Sequence, residues 1–104
     1  LEDTEFSSTT RLHPRFPGDF PLPRIFRLEY TYGGLRHGAV TVRFRFQGDP
    51  VDAVHDLIEA GRSAGWSTDI KAPHRVSFHK SGRTIDAWFG FPGHALVLDL
   101  PEPR

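Results

Sequence analysis

Six histidines, and 13 acidic against 13 basic side chains, offer material for metal binding or acid–base work, so their spacing has to decide. His74 and His79 are five residues apart, which on one strand sets them on opposite faces and keeps them from sharing an ion. His55 has Glu59 one helical turn further on, a spacing that makes a surface hydrogen bond or ion pair rather than a chelate. His13, His37 and His94 fall in loops or near strand ends. No ligand spacing of a known metal site appears, and nothing calls for a cofactor. Asp86 with His79 comes nearest to an acid–base pair, but alternation puts both on an open sheet face where water is not excluded, and that favours surface hydrogen bonding. There is no nucleophile elbow and no glycine-rich phosphate loop between a strand and a helix. With no cysteine, thiolate catalysis, disulfides and iron–sulfur clusters are ruled out together. The expectation is a protein that is not an enzyme.

Binding is better supplied. Arg43-Phe44-Arg45-Phe46 has the look of a single-strand nucleic-acid platform, in which aromatics stack on bases and arginines meet phosphates. Alternation weakens that reading, because Phe44 and Phe46 share a face with Val40 and Val42 and belong to a core. The formal net charge of zero also supplies no field to draw in a polyanion. What remains for contact is the opposite face, predicted to carry Arg27, Glu29, Thr31, Thr41, Arg43, Arg45, Arg75, Ser77, His79, Thr84, Asp86, Trp88, Val97 and Asp99. Arg75 falls opposite Trp88, within reach of a cation–π contact. The candidate binding residues are therefore Arg27, Arg43, Arg45, Arg75, His79, Asp86 and Trp88, facing a protein partner or a small anionic ligand. The plainer alternative is a solvated face whose arginines pair with Glu29 and neighbouring acids. A homodimer through this face would make the same arginines structural.

The elements that must position these residues are organised around Asp49 to Trp66. Asp49 can cap free backbone N–H groups, Pro50 suits the first helical position, and Gly65 ends the helix. At about 100° per residue, Val51, Val54, Leu57, Ile58 and Gly61 fall on one arc, with Ala53, Ala60 and Ala64 beside it. Arg24 to Tyr32 and Ala39 to Gln47 alternate as two strands, with Phe26, Leu28, Tyr30 and Tyr32 set inward in the first. A two-residue Gly33-Gly34 turn would put their apolar rows on opposite faces, so a loop of three or five residues is expected, aligning Leu28 with Val40 or Val42. After the helix come strands at Trp66 to Ile70 and Arg75 to Lys80. The Ser81-Gly82 turn sets Phe78 opposite Ile85 and Val76 opposite Ala87, and the Gly90 to Gly93 turn sets Ala87 opposite Leu96 and Ile85 opposite Leu98. The order ββαββββ implies an α+β two-layer sandwich, a mainly antiparallel sheet of about six strands with one helix on one face.

The 104 residues fit one domain over 15–104, preceded by a flexible linker or tether over 1–14. The Ser/Thr and proline content of Leu1 to Pro23 reads as that linker leading into an extended arm, pinned by Phe16, Phe20 and Leu22. No run approaches the roughly 18 apolar residues of a spanning helix. The lack of methionine, even at position 1, indicates that Leu1 is not the natural start. Arginine far outnumbers lysine, as in proteins from GC-rich bacteria. FPGDFPLP at Phe16 to Pro23, the capped helix running into AGW at Ala64 to Trp66, and VSFHKSGRTI at Val76 to Ile85 together resemble small exported, lipoprotein-like bacterial domains. The resemblance covers about four-fifths of the chain, and its motifs are structural. It implies a periplasmic or cell-surface location, a tether after a cleaved signal or lipid anchor, and no catalytic positions.

Overall fold

In the computed structural model, residues 4–7, 13, 15–34, 38–90 and 93–101 are described. One helix, α1 (Pro50–Ser63), lies among seven strands: β1 (Thr4–Ser7), β2 (Arg27–Gly34), β3 (Val40–Arg45), β4 (Ser67–Ala72), β5 (Arg75–Lys80), β6 (Arg83–Gly90) and β7 (Ala95–Leu100). The strands form one antiparallel sheet in the order β1-β2-β3-β7-β6-β5-β4. The expected α+β architecture of one helix on a sheet of six strands is present, and the short β1 is joined to it along β2. The sequence pattern assigns Leu1 to Pro14 to a tether. Of that stretch, Thr4–Ser7 pairs with β2 from Thr4↔Gly34 to Ser7↔Thr31, His13 is buried, and the rest lies outside the described residues. The helix is neither long nor apolar enough to cross a membrane.

Both ends of α1 are fixed by local chemistry. The Asp49 carboxylate accepts from the Val51 N–H at 2.8 Å, satisfying one of the donors that a helix start leaves free. At the far end, the Trp66 N–H bonds Gly61 O and the Gly65 N–H bonds Arg62 O, with Gly65 at φ +91°. This pair of hydrogen bonds around a left-handed residue is the Schellman closure, and glycine takes it without a Cβ penalty. The buried arc is Ala53, Val54, Leu57 and Gly61, turned toward the alanines from where the pattern placed it. Val51, expected inside, is 62% exposed, because it lies about 60° beyond Val54 at the margin of that arc. The small residues turn inward because the helix passes close over the sheet: a Cβ on Gly61 would stand 2.7 Å from the Phe78 ring.

Strand pairing confirms one register and corrects two. Phe78↔Ile85, Val76↔Ala87 and Arg75↔Trp88 pair as expected across the Ser81-Gly82 turn. In the next hairpin the pairs are Ala87↔Leu98 and Phe89↔Leu96, shifted by two residues from the expected Ala87 with Leu96. A shift of two keeps every side chain on its face, so the inward pattern could not detect it. Phe91 and Pro92 of that turn lie outside the described residues. Between β2 and β3, Leu28 pairs with Phe44 and Gly33 with Val40, and a bulge between Leu28 and Tyr30 restores the agreement of faces that an odd-length loop was expected to supply. Beyond the bulge the faces exchange. Thr31, expected outside, is 4% exposed in the row of Val42, while Tyr32, expected inside, is 48% exposed.

The inner face holds the core. Val40, Val42, Phe44, Val76, Phe78, Ile85, Ala87, Leu96 and Leu98 are all essentially closed to solvent. Phe16 and Phe20 of the proline arm sit over them, with Phe20 edge-on to both Trp66 and Phe78 at centroid distances of 5.2 and 5.1 Å. Helix and arm together cover this face. Among the described residues no helix lies on the other face.

Candidate functional site

Antiparallel register builds the outer face in rows that run across the strands, because residues two apart on each strand point the same way. One row runs Arg75–Trp88–Val97–Arg43–Tyr30 across β5, β6, β7, β3 and β2. The adjoining row runs Asp69–Ser77–Asp86–Asp99–Thr41–Tyr32 across β4, β5, β6, β7, β3 and β2. The first is basic and aromatic and the second acidic and hydroxylic, about 7 Å apart along the strands.

In the basic row the Arg75 guanidinium lies 4.1 Å from the Trp88 ring centre, the cation–π pair read from the register. Trp88 keeps 36% of its surface exposed. The Arg75 Nε is buried without a hydrogen-bond partner. Arg43 donates from Nε to Glu29 Oε1 at 2.9 Å, and Arg45 reaches the other oxygen of the same carboxylate at 2.8 Å. Glu29 thus ties two of the expected binding arginines together, as the plainer sequence reading had it for those two. Arg27 is exposed at the outer edge, opposite Arg45.

In the acidic row Asp86 and Asp99 stand directly opposite one another on β6 and β7. Asp86 accepts from the Ser77 hydroxyl, and Asp99 accepts from Thr41 Oγ1 at 2.9 Å. Among the described residues neither carboxylate forms an ion pair. Ser77, expected to be exposed, is 3% exposed, a short side chain low in the face between Arg75 and His79. His79 bonds Thr84 Oγ1 through Nδ1 at 3.1 Å, so the acid–base pair weighed from the sequence is not joined: His79 and Asp86 each engage a different hydroxyl. At the β4 edge the Lys71 ammonium, by hydrogen bond and charge, holds the Asp69 carboxyl below its ordinary range. No family model, curated protein or solved structure matches the chain.

Two other regions lie apart from these rows. A shallow depression of about 450 Å³, lined by Arg45, Phe46, Gln47, Gly48, Gly93 and His94, opens to solvent beside the β6–β7 turn, and no carboxylate lines it. No three His, Asp or Glu side chains converge on a metal position among the described residues. On the inner side, Asp19 of the arm holds Arg83 through two bonds of 2.8 Å and meets Lys80 at 3.4 Å. The Asp19 carbonyl accepts from the Trp66 indole N–H, Arg83 lies 5.0 Å over that indole, and Lys80 also donates to Ala64 O at the helix end. The Arg83 hydrogen bonds, with help from Lys80, hold the Asp19 carboxyl far below the usual carboxylate range, and Asp19 raises Arg83 in turn. This cluster latches the arm onto the helix end and the β5–β6 hairpin. His13 serves a similar purpose at the other end of the arm. Its Nε2 faces Gly33 O at 3.1 Å while Nδ1 accepts from the Arg15 N–H at 3.2 Å, which is the arrangement of the neutral Nε2–H imidazole. Sequence reading found neither contact, since Asp19 and Arg83 are 64 residues apart and no local pattern joins them.

Proposed function

We propose that this domain is a non-enzymatic binding or accessory module of an exported bacterial protein, and that it meets its partner through the outer sheet face. The observation that carries the reading is Trp88, 36% exposed in the middle of a face that no helix covers among the described residues, with Arg75 stacked on it. An aromatic anchor ringed by polar groups is what the energetic centre of a protein contact requires. Arg43 and Arg45 extend the face, although Glu29 neutralises part of their charge. The acid and the histidine of this face are each engaged by a separate hydroxyl, which favours contact over proton transfer. The test is affinity capture with the wild-type domain against Trp88→Ala and Arg43→Glu, both checked for folding by circular dichroism. Loss of the same captured protein from both variants supports the reading, and unchanged recovery from both overturns it. Export is tested by the coding sequence ahead of Leu1: a signal sequence there supports it, and a contiguous cytosolic domain overturns it.

Single-stranded nucleic acid is the second reading, and the bulge in β2 favours it by turning Tyr30 and Tyr32 to the face that carries Trp88 and the arginines. Asp69, Asp86 and Asp99 in the adjoining row count against it, because they would repel phosphates. Binding to oligonucleotides that weakens steeply with salt would support it. No binding at low salt would remove it.

A further inference from the structure

Resting on the outer face as the contact surface, we propose that its occupant is a second copy of this chain, docked about a two-fold axis so that the basic row of each copy lies over the acidic row of the other. Among the described residues the face holds charge of both signs without an ion-pair partner. Asp86 and Asp99 are directly opposed across β6 and β7, an arrangement that destabilises a sheet unless a cation relieves it. Among the described residues no cation reaches either one, and each is held in place by a single hydroxyl. One row away Arg75 has no acidic partner among the described residues, and its Nε is buried without a hydrogen bond.

These charges do not satisfy one another within the chain, because Arg75 is laid over Trp88 while Asp86 is turned to Ser77. A two-fold contact is self-complementary: whatever residue i meets on the partner, the partner's i meets in return. An axis lying in the interface, across the strands and between the two rows, sets each residue of one row over the other row of the same strand in the second copy, so the Arg75 guanidinium, laid over Trp88 of β6, comes over Asp86 of the other copy, with Val97 over Asp99 beside it. Zero formal net charge leaves no long-range repulsion between copies. A patch of two rows falls at the low end of specific interfaces, below about 1,200 Å² in total, so the dimer is concentration-dependent and weakened by salt.

Analytical ultracentrifugation of the full chain from micromolar to near-millimolar protein tests the proposal. Wild type is expected to dimerise at low salt and dissociate at high salt. Arg75→Glu and Asp86→Lys should each weaken self-association by about tenfold or more, since each sets like charges against each other twice per dimer. Mixed in equal amounts, the two variants should dimerise with each other. The new carboxylate of the Arg75→Glu copy then meets the new ammonium of the Asp86→Lys copy, while the native Asp86 of the first still meets the native Arg75 of the second. Should Asp86→Lys fail to fold by circular dichroism, Asp99→Lys takes its place. A wild type that stays monomeric over the whole range, or folded variants that do not rescue one another, overturns self-pairing. A monomeric wild type whose Trp88→Ala variant still loses a captured protein overturns self-pairing alone. A monomer with unchanged capture overturns the contact-face reading as well.

Discussion

Strand β7 carries Leu96, Leu98 and Leu100 on one side and Val97 and Asp99 on the other, and the two sides of the sheet are under opposite constraints. On the inner side Leu96, Leu98 and Leu100 belong to the core, and the helix crosses close enough that a Cβ on Gly61 would press into the Phe78 ring. On the outer side Arg75, Asp86 and Asp99 have no ion-pair partner among the described residues, Trp88 stays partly open, and two aspartates face each other across neighbouring strands. Packing fixes the identity of almost every inner residue, so those residues say how the domain folds. The outer residues are not explained by packing, which is why they are the ones that speak to function.

The largest expected break in this contrast comes from the inner side. Phe78→Ala removes a fully buried ring that touches Phe20 and lies against Gly61, and should cost about 3–5 kcal/mol by equilibrium urea unfolding. Gly61→Ala presses a methyl into the same ring and should cost about 1–3 kcal/mol. The two changes should not add, because the Phe78→Ala cavity gives the methyl room. In the double variant the Gly61→Ala cost should largely vanish. A full additive loss would show that the helix does not rest on Phe78.

A middle-sized effect is expected at the arm latch, which belongs to neither face. Asp19 is held well below its ordinary titration range chiefly by Arg83, so its contribution to stability is present above the unfolded-state value of about 4 and is lost as pH falls through the lower folded value. Asp19→Asn should therefore be less stable than wild type at pH 7, and the gap should close progressively in acid. Thermal unfolding of both proteins from neutral pH down to about pH 2, where the loss is well under way, measures this. A gap that persists unchanged in acid would mean that the Asp19 carboxylate charge is not what secures the arm.

How much of this was legible in the sequence depends on the distance over which each feature is decided. The helix caps and the Ser81-Gly82 register are local, and Asp49, Gly65, Phe78 and Ile85 were readable. The bulge between Leu28 and Tyr30 was not, because a parity mismatch shows that one residue must be absorbed but does not show where. The two-residue shift between β6 and β7 was invisible for the opposite reason, since it leaves both faces intact. Yet that shift decides the site: in the expected register Asp99 faces Thr84, and in the structure it faces Asp86. Alternation alone places Asp86 on the outer face. The acidic pair needed strand order and register together, which no local pattern contains.

The smallest expected effect on stability is on the outer side, and it sharpens the contrast most. Trp88→Ala removes an aromatic with 36% of its surface exposed and one stacked cation, an interaction of about 0.5–1 kcal/mol at such a site. Arg75→Ala removes the other half of the same contact, so in the Trp88→Ala background it should cost little further. Urea unfolding of the three variants measures the coupling. A ring the size of Trp88 that costs so little to delete, set against a Phe78 that costs several times more, would place the indole outside the folding core. A cost for Trp88→Ala equal to that of Phe78→Ala would overturn this division, since it would make the outer face a second core and leave its arginines the task of covering it.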